Sequence, residues 1–285
     1  MINIRQTYMD FCQSKGISYR DDDSILSYDD TTLFCPAGMQ QFKKDFKDKE
    51  IKNVTRANIQ SCLRMQDIDT VGDGTHFPYF HMMGLFSFRG LTVKKSIDFW
   101  MEYLTLIGIK PDYVTIHSHK TDWAAYYYEY DLEVRIDNEC IWSDGELSGY
   151  CTEFYVNSYL DNIEIGNIVN ICDDCIDVGF GYERLDHVVN KTGTPGALES
   201  LEDTIGKLLA CKVYPSNKQQ GYVTRRLIRK FHGMGGVSKN LYFIQEKERQ
   251  EKALKQYDRL KRRNPDKSKQ WWFDTHGIDL DLVNE

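Results

Sequence analysis

An α+β fold is predicted for this chain, with helices and strands mixed in residues 1–192 and a smaller all-α domain in residues 193–285. Three observations carry that expectation. First, residues 148–185 hold short β-like runs at 152–156, 163–165 and 168–171, followed by a strand, a Gly turn and the start of a helix in Ile176-Asp177-Val178-Gly179-Phe180-Gly181-Tyr182-Glu183-Arg184-Leu185. Second, helical spacing appears in residues 2–15, where Ile4, Tyr8, Phe11 and Cys12 fall on one face, and in residues 92–104, where Ile97, Trp100 and Leu104 do. Third, composition changes at the linker Gly193-Thr194-Pro195-Gly196, beyond which helices are predicted over 198–211, 222–231 and 240–263.

At 285 residues the chain suits one large domain joined to a smaller one. Its 41% hydrophobic and 28% charged content is that of a soluble globular protein. No apolar run reaches membrane length and MINIRQTYMDFCQSKG lacks a signal-peptide core, so a cytoplasmic location with no membrane partner is expected. Eight scattered cysteines read as reduced thiols, and the lone Cys172-Asp173-Asp174-Cys175 as two thiols beside a turn; no zinc is expected. A net charge of −7 opposes wrapping nucleic acid by bulk electrostatics. Basic residues nevertheless cluster at Arg225, Arg226, Arg229 and Lys230, and again from Lys247 to Arg263, as in a catalytic domain joined to a phosphate-binding one.

In chain order, residues 40–46 read as a short helix after the Pro36-Ala37-Gly38 turn. Residues 56–64 read as a strand in which Gln60, Cys62 and Arg64 share a face. A polar loop (66–75) and an aromatic-rich strand (76–84) complete a long hairpin. An arginine on one arm and aromatic faces on the other suit a nucleotide, by charge at phosphate and stacking at the base. A half-buried hairpin with a surface arginine suits the same residues. Thr92 caps the helix over 92–104, residues 111–142 alternate strand and loop, and the aromatic run 123–130 lacks a helical stripe and reads as packing. Gly179 and Gly181 let a ligand approach the backbone, flanked by the negative Asp177 and the positive Arg184. That pairing fits a ligand bearing both charges, such as an amino acid with a nucleoside triphosphate, or an ordinary turn beside a surface ion pair.

Along nearly its whole length the chain resembles alanyl-tRNA synthetases, of the class II aminoacyl-tRNA synthetases. The stretches that carry the resemblance are IRQTYMDFCQSKG, TTLFCPAGMQQFK, RANIQSCLR, SGYCTEFY, IEIGNIVNI, IDVGFGYERL, YPSNKQQGYVTRRLIRK and FDTHGIDLDLV, in the family's order. The resemblance implies an antiparallel sheet flanked by helices, followed by a helical domain that reads the tRNA acceptor stem. It implies ATP and Mg²⁺ as cofactors, and an amino acid (alanine or another small one) and tRNA as partners. Arg64 matches the arginine at the α-phosphate, and Arg184 the arginine at the γ-phosphate end of a bent ATP. Phe80, or Tyr79 with the hairpin offset by one, matches the aromatic on adenine; His76, Met39 and Gly181 fall in the same nucleotide set. Asp177 matches the aspartate that takes the substrate ammonium, with Asn167, Gly179 and Trp142 around the amino acid. Glu164 is placed to hold Mg²⁺. Asn217 and Asp274 match the pair that reads the G·U wobble of alanine tRNA, with Arg225 and Arg226 on the adjoining helix.

The chain departs from the family's pattern in three places. Only Met65 and Gln66 separate Arg64 from Asp67, where the family has Gly-Gly-Lys-His-Asn; Gly166 stands in place of a tryptophan; and the sequence stops where editing and C-terminal domains would follow. Proofreading in cis is not expected, and a monomer or weak dimer is. Three functions fit: a minimal tRNA ligase, a paralogue that hands its adenylate to a carrier protein, peptide or small amine, and a non-catalytic tRNA-binding regulator.

Overall fold

The helix predicted over 2–15 forms as α1 (Ile4–Ser14) in the computed structural model, which describes residues 1–73, 76–158, 161–276 and 278. The side chains of Ser158, Asp161, Asp258, Phe273 and Asp274 also lie outside the described part, and so does the expectation placed on Asp274. Asn3 caps α1 by accepting from the Gln6 N–H (3.0 Å), and the buried stripe is Ile4, Tyr8, Phe11 and Cys12. Two compact units follow from the contacts, Met1–Pro195 and Gly196–Glu285.

In the first unit, β1 (Ser18–Tyr19) leads through a loop and a 3₁₀ turn at Gly38–Phe42 to α2 (Lys43–Lys47). The predicted hairpin is β2 (Val54–Leu63) and β3 (Tyr79–Phe88), paired antiparallel along their whole length. Next come α3 (Val93–Leu106), capped by Thr92, then β4 (Tyr113–Ile116) and α4 (Ala124–Tyr128). The remaining elements are β5 (Glu133–Ile136), β6 (Ile141–Ser143), β7 (Ser148–Ser158), β8 (Asp161–Ile171), β9 (Cys175–Gly181) and α5 (Tyr182–Asn190). The strands form one sheet in the order β1-β2-β3-β9-β8-β7-β4-β5, with β6 also on β7. Among the described strands, β1/β2 and β4/β5 pair in parallel and the other pairs are antiparallel.

Register decides which face each side chain joins, because residues directly opposite one another across strands share a face. One row runs Ile59, Met83, Phe180, Gly166, Phe154, Val114. It is apolar and packs, within one core cluster, with Tyr8 of α1, Trp100 and Leu104 of α3, and Leu185 of α5. The neighbouring row, one residue along each strand, runs Asn58, Gly84, Gly179, Asn167, Glu153, Thr115. It is polar or bare and lies on the other face. One sheet thus separates a helix-covered core from a polar floor.

The aromatic run 123–130, read as unstriped, contributes a short helix that buries Trp123 and Tyr127. In the second unit α6 (Ala197–Ala210), α7 (Gln219–Gly233), α8 (Leu241–Leu254), α9 (Tyr257–Arg263) and α10 (Lys269–His276) follow. The single helix expected over 240–263 is therefore two. Among its described residues, Phe243 and Glu246 are buried before the break and Tyr257 after it, few apolar positions to hold one long straight helix. No helix among the described residues is long and apolar enough to cross a membrane.

Candidate active site

The polar face of the sheet carries a cleft of about 290 Å³. Arg64, Phe80, Trp142, Glu164, Asn167, Gly179, Gly181 and Arg184, all singled out from sequence, line it together. Arg64 follows directly on β2, and its Nε donates to the Pro36 carbonyl (3.0 Å). Its guanidinium carbon lies 4.9 Å from the centre of the Phe80 ring, which places a cation over an aromatic face. Of the two aromatics considered for the hairpin, Phe80 faces the cleft; the Tyr79 hydroxyl turns to His81 Nε2 (3.1 Å).

Arg184 sits in the first turn of α5 and reaches back over β8. It donates to the Glu164 carbonyl (2.7 Å) and to Glu164 Oε2 (3.3 Å). Glu183, its neighbour, accepts from the His81 backbone N–H (3.0 Å) and meets His81 Nδ1 at 2.7 Å, which locks the helix start to β3. Gly179 lets the floor stay low: a Cβ there would lie 2.9 Å from the Met82 sulfur.

Asp177 lies one pleat from Gly179 on the same face, between Phe86 and Val169 in register. It is half-buried and does not line the cleft wall. Burial alone lifts its carboxyl from 3.8 to about 7. Two expected nucleotide residues stand elsewhere. His76 is exposed and pairs with Asp73 (2.6 Å) in the loop between β2 and β3, outside the cleft lining. Met39 is buried in a core cluster with Phe42, Phe86 and Phe88, where an unbranched apolar side chain gains more than at a polar wall.

Gly166 belongs to the apolar row, so the space a larger residue would need lies toward the core. A Cβ there would meet Phe180 Cγ at 2.3 Å. The Phe180 ring is fully buried and stacked on Trp100 (centroids 3.9 Å apart, planes 9° apart), so it fills the space beside Gly166 on that face. Gly166, all backbone, is also part of the cleft lining.

Sequence reasoning missed six lining residues: Asp67, Phe77, Met82, Glu153, Ile165 and Glu183. It also missed Asn58, fully buried under Gly84 in the floor row with neither amide atom hydrogen-bonded among the described residues. For Asn58, two residues from Gln60 on β2, and Glu153, two from Cys151 on β7, the signal was period-two spacing, which becomes readable only once register is known. Burial raises the Glu153 carboxyl above its ordinary value, opposed by the Tyr155 hydroxyl (2.7 Å) and reinforced by Glu164. Burial likewise raises Asp67, against the pull of Arg64.

The charged lining is Arg64 and Arg184 against Asp67, Glu153, Glu164 and Glu183. Such a wall does not attract a triphosphate without a bound cation. Glu164 and Glu183 are hard oxygen donors of the kind magnesium takes, which makes the wall a fit for that ion.

In the second unit, Arg225 is buried rather than presented to a partner. Its Nε donates to Glu246 Oε2 (3.0 Å) and a terminal nitrogen meets Asn217 Oδ1, while Arg229 donates to the other Glu246 oxygen (2.8 Å). A carboxylate buried on α8 demands both guanidiniums. Asn217 is exposed and Arg226 half-buried.

An antiparallel sheet that carries two arginines, a glycine-floored cleft and a glycine turn into a helix is the frame of a class II synthetase. The chain belongs to that family: residues 3–193 match the model for class II (A) tRNA synthetases. Among its relatives, the alanine–tRNA ligase of Psychromonas ingrahamii is 28% identical over 319 residues, covering 85% of this chain and 36% of the relative. That of Francisella tularensis strain WY96-3418 is 27% identical over 315 residues, with 84% and 36% covered. The chain thus spans about a third of the length of these relatives. The structure of S. aureus histidyl-tRNA synthetase overlaps 68% of this chain and 67% of its own, with a TM-score of 0.46 and 9% identity.

Proposed function

We propose that the chain activates an amino acid with ATP and passes the acyl group to the 3′ end of a tRNA, with alanine the first amino acid to test. The observation that carries this is one cleft lined by Arg64 over Phe80, by Arg184, and by Trp142, Asn167 and Gly179. Activation is attack by the amino-acid carboxylate on the α-phosphorus, with pyrophosphate leaving. Both reactants are anions, so the need is positioning and charge neutralisation rather than a general base. Arg64, held by Pro36 and Phe80, is pre-set to span the carboxylate and the α-phosphate. Arg184 trades its contact with Glu164 for the triphosphate tail. Glu164 and Glu183 would hold magnesium, which would supply positive charge against that of the phosphates. Ionised Asp177 draws the substrate ammonium toward the floor beside Gly179, while Trp142 and Asn167 bound the side chain.

For tRNA, support comes from α8 and α9. Lys247, Arg249, Lys252, Lys255, Arg259, Lys261, Arg262 and Arg263 are all exposed there, a surface suited to a phosphate backbone. Exposed Asn217 is the candidate reader of the acceptor stem. The second reading, transfer to a carrier protein, peptide or small amine, draws on the altered sequence after Arg64, where only Met65 and Gln66 precede Asp67. ATP–pyrophosphate exchange over all common amino acids tests activation; exchange with none of them removes both enzymatic readings. Charging of alanine tRNA with and without its G·U pair then decides the acceptor, and indifference to tRNA selects the second reading.

A further inference from the structure

Outside the set used for adenylation, two thiols and a carboxylate converge. Cys140 lies in the turn before β6, Cys151 in β7 and Glu153 two residues further on the same face. The Cys151 N–H donates to the Cys140 carbonyl (3.0 Å), which brings the turn down onto the strand. The two sulfurs and a Glu153 oxygen all lie within 4.8 Å of one another. Both cysteines are buried, whereas Glu153 lines the cleft with Trp142 and Asn167. The trio is closed toward the protein and open toward the cleft.

We propose that Cys140, Cys151 and Glu153 form a zinc site at the amino-acid end of the cleft, with the fourth position open to a nitrogen, oxygen or sulfur donor of the substrate amino acid. This replaces the expectation of no zinc. Three protein ligands with a vacant position are the pattern of zinc sites that meet substrate, whereas structural sites close all four. Tetrahedral zinc with bonds of about 2.3 Å to sulfur needs ligand atoms roughly 3.8 Å apart, so small rotamer changes suffice. Two thiolates select a soft ion over magnesium, which keeps this site apart from the oxygen donors Glu164 and Glu183. Outer contacts already orient the ligands. The Cys140 S–H donates to Thr115 Oγ1 (3.0 Å), the Thr115 hydroxyl meets Glu153 Oε2 (3.4 Å), and the Tyr155 hydroxyl donates to that oxygen (2.7 Å). Zinc loading releases the two thiol protons and changes no oxidation state.

The metal site stands independently, while its open position toward an amino acid rests on the adenylation reading. The test is to strip the full chain with chelator under reducing conditions, dialyse it against Zn²⁺, and measure bound zinc by elemental mass spectrometry. One equivalent is expected in the wild type and in Cys172→Ser, with at least a roughly tenfold lower affinity in Cys140→Ser and in Glu153→Gln. Circular dichroism establishes that each variant folds; the Co²⁺-loaded wild type gives a second readout, a thiolate-to-cobalt charge-transfer band. Absence of stoichiometric zinc, undiminished zinc in both ligand variants, absence of the band, or a Cys140–Cys151 disulfide formed in preference to metal each overturns the site. A shift of the cobalt ligand-field bands on adding amino acids supports the open position, and silence across the panel removes it. Zinc bound without exchange activity sinks the adenylation reading alone; exchange without zinc sinks the site alone.

Discussion

Asp177 is where the proposed chemistry and the stability of the fold pull in opposite directions, and Asp177→Asn separates them. The carboxyl is enclosed between Phe86 and Val169, and burial moves it from 3.8 to about 7. At roughly 1.4 kcal/mol per tenfold change in proton affinity, that is about 4 kcal/mol for full enclosure. The side chain keeps some exposure, so about 2 kcal/mol is the figure to expect. The sign follows from linkage. The folded state holds a proton that the unfolded state has released, so Asp177 costs nothing below about 3.8, and stability falls as pH rises to about 7. Asparagine has nearly the same shape and no charge to desolvate.

Urea unfolding of both proteins from pH 4 to pH 8.5 measures this. The variant is expected to gain about 2 kcal/mol relative to wild type between pH 4 and pH 8, and to level off above about 7. The same substitution is expected to abolish ATP–pyrophosphate exchange, since only the ionised carboxyl pairs with the substrate ammonium. In the wild type, kcat/KM for the amino acid should fall about tenfold per pH unit below about 7. Parallel pH–stability curves would show that the carboxyl is not desolvated as the structure implies. Exchange surviving in Asp177→Asn would remove it from ammonium binding.

Three further outcomes follow from the same geometry. Arg64→Lys keeps the charge but loses the planar cation over Phe80 and its Nε bond to Pro36, so exchange should drop about 100-fold or more, read as kcat/KM. Gly166→Ala places a Cβ 2.3 Å from Phe180, whose ring is pinned by Trp100; thermal unfolding should show a loss of about 1–3 kcal/mol, and an unchanged midpoint would mean that the ring yields. Glu246→Ala leaves Arg225 and Arg229 buried without their shared carboxylate and should destabilise the 196–285 unit by about 3–5 kcal/mol, measured by hydrogen exchange in α7; a neutral result would show that water reaches the guanidiniums.

Local pattern was enough to place most elements. The stripe Ile4, Tyr8, Phe11, Cys12 and the Thr92 cap are one-dimensional signals, since helical contacts fall within four residues. The motifs that resemble class II synthetases placed Arg64, Phe80, Asn167, Gly179 and Arg184, and all five share one cleft. Where a residue's environment depends on a distant strand, sequence spacing does not determine it. Gly166 stood out as a glycine in place of a tryptophan; register puts it on the core face beside Phe180. Arg225, one of a run of basic residues, is drawn inside by Glu246, 21 positions away. Cys140, Cys151 and Glu153 were three unremarked letters until β6 and β7 paired and brought their ligand atoms together. Periodicity fixes which way a side chain leaves its own strand or helix, but a site is a meeting of several elements. Cross-strand register and long-range charge pairing set that meeting, and both are properties of the folded chain.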